Sequence, residues 1–142
     1  MNQEIFRNYC IAKPGVTEEF PFGEETLVFK VMGKMFALTS ISEIPGSCNL
    51  KCDPERAEEL RERYSAIIPG YHMNKKHWNT VDWDGSISDQ LILDLIDHSY
   101  DLVSNALPKN LKPNLVKNNQ PLKGSFSKKP SKKIIAKGKR KS

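Results

Sequence analysis

The stretch HMNKKHWNTV, residues 72–81, concentrates side chains that could carry out chemistry. It holds two histidines, two lysines, two asparagines and a tryptophan, with little of the apolar filler that a buried element needs. Such a set suits four roles: a metal site, a catalytic site, a nucleic-acid contact or a structural turn. The surrounding sequence has to decide among them.

A metal site would combine His72 and His77 with Cys48 and Cys52. The spacing within each pair suits zinc, but 19 residues separate the two pairs, where a zinc finger has about 12. A regular helix is also predicted between the pairs, which does not fit a compact finger. We therefore expect no bound metal and no cofactor, with buried cysteines and unrelated histidines instead.

Catalysis would need a thiolate in contact with a base, or a pair of carboxylates in an acid and base role. All three cysteines lie in segments that are predicted to be core or sheet. Asp82 and Asp84 flank Trp83, but two acids beside a glycine are typical of a turn. The sequence contains neither a nucleophile elbow nor a glycine-rich phosphate loop. We therefore expect a protein that is not an enzyme.

A nucleic-acid contact needs cations and hydrogen-bond donors on a protruding segment, and the stretch supplies both. Trp78 could stack on a base or wedge into a groove, and Lys51 could extend the patch. The residues predicted to bind nucleic acid are Lys75, Lys76, His77, Trp78, Asn79, Thr80, Lys30 and Lys34. The structural alternative stays open: Trp78 as sheet core, the asparagines as turn formers and the lysines as a solvated edge.

Charge divides the 142-residue chain into two parts. Residues 1–110 hold all 17 acidic residues against 11 Lys and Arg, a net charge of −6, whereas residues 111–142 hold 11 Lys and Arg and no acid. A segment so polar cannot bury enough apolar area to offset its ordering entropy. We predict a folded domain over 1–111 and a basic, disordered tail over 112–142 that binds polyanions.

The apolar runs are too short to cross a membrane, and the first ten residues lack the apolar core of a secretion signal. An odd number of cysteines fits reduced thiols better than a disulfide framework. We expect a cytoplasmic, monomeric protein that does not bind membranes.

Three helices are predicted from apolar periodicity and capping residues. The first covers about 2–12, and the second covers about 54–65 behind an Asp-Pro start. The third begins near Ser86 and Asp89, which have capping-box spacing, and its apolar stripe runs to Ala106.

Strands are predicted from β-rich runs that turn residues separate. Gly33-Lys34 suits a tight hairpin turn between the first two strands, and Leu27, Phe29 and Val31 share the face expected to point to the core. The predicted strands cover 26–32, 35–41, 48–52 and 81–83. The order of elements predicts an α+β domain in which helices cover one face of an antiparallel sheet.

Several separated segments together resemble one family. They are PGVTEEFPF at 14–22, FKVMGKMFA at 29–37, YHMNKKHWNTV at 71–81, LIDHSYDLV at 95–103 and LPK at 107–109. In this order they are similar to the bacterial MmcQ/YjbR family, and the resemblance covers about residues 3–111.

The resemblance implies a frataxin-like (CyaY-like) fold of double-wing type and a DNA-binding role. Together with the donors of the motif and the basic tail, it leads us to expect binding of nucleic acid with low sequence specificity, DNA rather than RNA. A domain of charge −6 repels a duplex unless its lysines cluster on one side. The fold also suggests iron binding by acidic helices, but Glu55, Glu58, Glu59 and Glu62 fit a solvated helix face better. The rival interpretation is a protein-interaction module in which the HWN motif is structural.

Overall fold

Residues 1–70 and 73–112 are described by a computed structural model, in which they form three helices and one antiparallel sheet of six strands. The helices are α1 (Gln3–Ile11), α2 (Pro54–Arg63) and α3 (Asp89–Asn105). The strands are β1 (Val16–Glu19), β2 (Thr26–Val31), β3 (Lys34–Ser40), β4 (Ser47–Lys51), β5 (Ile67–Pro69) and β6 (Trp78–Asp82). Their order across the sheet is β1-β2-β3-β4-β6-β5, so the predicted α+β class is confirmed.

Two helix starts follow from local hydrogen bonds. Asp53 caps α2 as predicted. The start predicted for α3 is wrong by two residues, because Ser88 accepts from the Leu91 amide and caps the helix. Ser86 instead donates a 2.6 Å hydrogen bond to the Asp84 carboxylate in the preceding turn. Either serine could have capped the helix, and Ser88 is the one that does.

Two strands were missed from the sequence, and one was predicted too short. β1 and β5 are four and three residues long and lie at the two edges of the sheet, with mostly exposed side chains. Short edge strands show little alternation of apolar and polar residues. β6 begins three residues before the predicted 81–83 segment, so the quoted stretch enters the sheet at Trp78.

All three helices lie on one face of the sheet, where the main core forms. Phe6 of α1 packs edge-on against Phe29, with 5.8 Å between ring centroids, and at a tilt against Trp83, with 5.2 Å between centroids. The predicted core face of Leu27, Phe29 and Val31 is confirmed, and so is the predicted burial of Cys48 and Cys52, since this cluster contains all five.

The other face of the sheet carries a second, smaller apolar cluster. Trp78 of β6 packs there with Val28 and Leu38, and Met35 and Met73 lie against them, half-buried. No helix of the described residues covers this face.

The predicted boundary near residue 111 lies at the edge of what the structure describes. Leu107 and Leu111 follow α3 and pack against the main core. The predicted tail after Lys112 lies outside the described residues. Over residues 1–70 and 73–112, no helix is both long enough and apolar enough to cross a membrane.

Candidate nucleic-acid interface

Strand register brings five lysines to one end of the sheet. Val31 pairs with Lys34 across the β2–β3 turn, and Lys51, the last residue of β4, pairs with Trp78, the first residue of β6. The β5–β6 loop is therefore at the same end as the β2–β3 turn. We call this the lysine end; its cations are Lys30, Lys34, Lys51, Lys75 and Lys76.

These lysines differ in how freely they present their charge. Lys34, Lys75 and Lys76 are exposed, whereas Lys30 and Lys51 are half-buried. The Lys30 ammonium lies 3.0 Å from a carboxylate oxygen of Glu19, so its charge is partly compensated. The three exposed lysines are the ones that can approach a phosphate directly.

A turn organised by Asn74 presents two of them. Its backbone carbonyl accepts from the His77 and Trp78 amides at 3.2 and 3.0 Å, and its side-chain oxygen accepts from the Lys76 amide at 2.9 Å. This is the local bonding that makes asparagine a turn former. With its backbone held in this way, the turn projects Lys75 and Lys76 into solvent.

The structure corrects the role expected for Trp78. Its side chain is 8 % exposed and packs against Val28 and Leu38 on the helix-free face. A ring that is covered by its own sheet cannot stack on a base or wedge into a groove. Trp78 is core, which is the structural alternative that the sequence left open.

Asn79 is corrected in the same way. It is 3 % exposed and points to the helix side, where its side-chain oxygen accepts a 2.7 Å hydrogen bond from Arg61 Nε of α2. A second nitrogen of Arg61 donates to the backbone carbonyl of Lys75. Arg61, which the sequence analysis did not single out, therefore ties both the strand and the lysine-bearing loop to α2.

Thr80 and His77 also have partners within the fold. Thr80 is 7 % exposed, and its hydroxyl donates a 2.5 Å hydrogen bond to the Asn49 side chain on the neighbouring strand. Its predicted donation to a ligand is corrected, because that hydroxyl is buried in the sheet. His77 is half-buried, and its backbone carbonyl accepts from the Cys52 amide at 2.8 Å. His72, its partner in the predicted motif, lies outside the described residues.

The acidic charge of the domain collects on the helices. They carry Glu4, Glu55, Glu58, Glu59, Glu62, Asp89, Asp94, Asp97 and Asp101. Against these nine acids stand four arginines, of which Arg7 is bound to Glu18. The net charge of −6 is thus divided by position: the helix side is acidic, and the lysine end is cationic.

The direction of α3 places the exit of the chain at the lysine end. Asp89 binds the N-terminal ammonium group, and Gln3 bonds to Ser40, the last residue of β3, so α3 starts at the opposite end of the sheet. Further along, Ser99 accepts from the Lys51 amide at the end of β4. The six helical residues after Ser99 add about 9 Å in the same direction. The C-terminal end of α3 therefore lies at the lysine end.

The groups considered for catalysis or metal binding lie elsewhere and are arranged differently. Burial raises the pKa of the Cys48 thiol to about 12 and that of Cys10 well above its usual value. Hydrogen bonds from Ser86 lower the pKa of Asp84, whereas burial and the charges of Asp84 and Glu43 raise that of Asp82. Within residues 1–70 and 73–112, no three His, Cys, Asp or Glu side chains form a group that could hold a metal ion.

The fold and this surface define a class: an α+β domain with three helices on one face of an antiparallel sheet and lysines at one end of it. The YjbR family model matches residues 11–102, and the chain belongs to the YjbR family. The chain is 39 % identical to the protein YjbR of Escherichia coli K12 over 108 residues, which are 76 % of this chain and 92 % of that one. It is 42 % identical to YbdF of Escherichia coli O157:H7 over 106 residues, 75 % of this chain and 87 % of that one.

Solved structures agree with the fold. A crystal structure of a Deinococcus radiodurans protein matches with a TM-score of 0.75 at 44 % identity, over 80 % of this chain and 86 % of that one. A crystal structure of a Pseudomonas syringae protein matches with a TM-score of 0.62 at 30 % identity, over 72 % of this chain and 98 % of that one. These matches support the observed arrangement of sheet and helices.

Proposed function

We propose that this protein binds nucleic acid, DNA in preference to RNA, through the lysine end of its sheet, without catalysis and with low sequence specificity. The observation that carries the proposal is the convergence of five lysines from three separate segments at one end of an otherwise acidic domain. A clustered positive patch attracts a polyanion even when the whole domain is negative, since nearby charges dominate at physiological salt.

The two hairpins give this end its shape. The β2–β3 turn carries Lys34, and the loop between β5 and β6 carries Lys75 and Lys76. Two projecting cationic turns are what a CyaY-like, double-wing domain would lay along a phosphate backbone. Contacts of this kind position a protein on nucleic acid without reading its sequence.

The roles differ from those that the sequence suggested. Lys34, Lys75 and Lys76 contact phosphates, and Lys51 adds charge from the end of β4. Lys30 contributes only after release from Glu19. Trp78, Asn79 and Thr80 hold the platform on which the lysines stand. The basic segment after Lys112 leaves from the same end and adds further counterion release.

The test is duplex DNA binding by the full chain across a salt series, with hairpin RNA measured in parallel. Lys75→Ala with Lys76→Ala should weaken DNA binding and reduce the slope of log Kd against log salt by about 2, roughly one for each phosphate contact. A tighter DNA complex than RNA complex is expected at each salt concentration.

A matched variant removes two cations from the helix side. Arg7→Ala with Arg63→Ala changes the net charge equally but leaves the lysine end intact. We expect its salt slope to equal that of the unaltered chain. If both double variants lower affinity and slope by the same amount, overall charge alone acts and the assignment to the lysine end is wrong.

A further inference from the structure

The end of the sheet opposite the lysine end has the contrary character. It is formed by the loops 20–25, 41–46 and 83–88, which contain no Lys or Arg. We call it the acidic end; its acids are Glu24, Glu25, Glu43, Asp82 and Asp84.

The acidic end also exposes large apolar side chains. Ile44 is 96 % exposed and Phe22 is 63 % exposed, and Phe20 and Ile41 are each about half exposed. Four apolar side chains on adjacent loops at one end of a small domain form a patch that water does not favour. Such a patch with an acidic rim suits a segment that carries both apolar and cationic side chains.

Contacts between the loops show that these groups share one surface. The Ile41 amide donates to the Glu25 carbonyl at 2.9 Å, and the Ser42 hydroxyl donates to the Glu25 carboxylate at 3.0 Å. The Trp83 amide donates to the Gly46 carbonyl at 2.9 Å. The three loops are therefore hydrogen-bonded side by side. Burial, followed by the charges of Asp84 and Glu43, raises the pKa of Asp82 at this end.

We propose that the acidic end binds the chain's own basic C-terminal segment, centred on Ile134-Ile135, in cis. With Ala136 this pair forms the longest aliphatic run among the last twenty residues, and Lys132, Lys133 and Lys137 flank the run. Isoleucines would cover Ile44 and Phe22, while the lysines meet the acidic rim. The lysine end repels the same segment, so charge directs it to the far end of the sheet.

The chain is long enough for this return. Ile134 lies 22 residues after Lys112, and a random coil of 22 residues has an r.m.s. end-to-end distance of about 26 Å. The seven residues of β3 span about 23 Å at the usual rise of a strand. The effective concentration of a segment tethered at this distance is in the millimolar range, so a weak contact is populated in cis.

The test is paramagnetic relaxation in the full chain, and it involves no nucleic acid, so its outcome is independent of the proposed function. A nitroxide is attached through Ser131→Cys; Cys10, Cys48 and Cys52 are buried and do not compete for the label. We expect amide signals of loops 20–25 and 41–46 to lose most of their intensity and those of the β2–β3 turn to keep theirs. At 1 M salt, where the screening length is about 3 Å, intensity should return.

Variants decide whether the apolar patch is the docking surface. Ile44→Ser with Phe22→Ser should restore the lost signals, because the variant removes the apolar surface that the isoleucines cover. Both side chains are exposed, so their replacement leaves the fold intact. The matched control is Ile68→Ser, an exposed isoleucine on β5, which should change nothing. Equal loss at both ends, no loss at either end or equal recovery in the control overturns the proposal. An equal loss when spin-labelled, unenriched chains are mixed with label-free ¹⁵N chains also overturns it, since that places the contact between molecules.

Discussion

Arg61 of α2 and Asn79 of β6 are joined by a 2.7 Å hydrogen bond from a guanidinium nitrogen to a side-chain amide oxygen. This bond attaches β6 to the helix layer. The same arginine also bonds to the Lys75 carbonyl and so anchors the loop that carries Lys75 and Lys76. A buried hydrogen bond to a charged group contributes about 1.5–3 kcal/mol.

Asn79→Ala should therefore lower the free energy of unfolding by about 1.5–3 kcal/mol in a urea titration. Arg61→Ala should cost a similar amount, and the double variant should cost less than the sum of the two. Strict additivity of the two losses would show that the pair is not coupled.

Ser99 connects α3 to two strands at once. Its hydroxyl donates to the Phe36 carbonyl at 2.5 Å and accepts from the Lys51 amide at 2.9 Å, in a fully buried position. Ser99→Ala leaves both backbone groups unpaired, so we expect a loss of about 2–4 kcal/mol in the free energy of unfolding. Ser104→Ala is the control on the same helix, because its hydroxyl bonds only to the Asp101 carbonyl. Equal losses would contradict this role for Ser99.

Gly70 allows the backbone of β5 to approach β6 closely. A Cβ at this position would lie 2.8 Å from Trp78 Cβ and 3.0 Å from the Trp78 carbonyl oxygen. Gly70→Ala should push the two strands apart and destabilise the domain by about 1–3 kcal/mol, measured by thermal unfolding. The fluorescence of Trp78 should shift to the red as its cover loosens. An unchanged melting temperature would show that the loop absorbs the methyl group.

His98 predicts how stability depends on pH. Burial, and then the charge of Arg56, lower its pKa from 6.5 to about 4, while its Nε2 accepts from the Asp53 amide at 3.1 Å. The unfolded chain therefore binds this proton more readily than the folded chain between these two values. The stabilisation that depends on neutral His98 is therefore fully present above pH 6.5. It declines as the pH falls towards 4, by about 2–3 kcal/mol in the free energy of unfolding.

The measurement is the free energy of unfolding at several pH values for the unaltered chain and for His98→Gln, whose side-chain oxygen can still accept. Burial raises the pKa of Asp101 to about 6, which acts in the opposite sense over pH 4–6. The difference between the two chains isolates His98. A difference that does not change with pH would contradict the lowered pKa.

The helices and central strands could be predicted from the sequence, whereas the two edge strands of the sheet could not. Local signals define the long elements: apolar periodicity, capping residues and turn residues. The positions of the three helices and of β2, β3 and β4 could therefore be predicted to within a few residues. β1 and β5 are strands only because a neighbour supplies hydrogen bonds, and nothing in ValThrGluGlu or IleIlePro requires it. The prediction of Ser86 as the cap of α3 was wrong because two serines precede the helix, and only packing selects between them.

In the candidate site, too, locally determined features could be predicted and features that depend on distant residues could not. Lys34, Lys75 and Lys76 could be predicted as exposed because lysines beside turn residues remain solvated. The burial of Trp78 could not, since it depends on Val28 and Leu38 from strands that are distant in sequence. Arg61 lies in a helix rich in charged residues, so no sequence pattern distinguishes the arginine that bonds to Asn79 and to the Lys75 carbonyl. Register, rather than composition, brought the lysines together.

The two edge strands of the sheet are short, and each has a feature that disfavours pairing with another strand. β5 has three residues and ends in Pro69, which has no amide proton, and β1 has four residues and ends in two glutamates. An incoming strand would find few donors at β5 and two ion-paired glutamates at β1. Both edges of the sheet are therefore poor templates for pairing with a further strand, which is the contact through which sheets grow into fibrils.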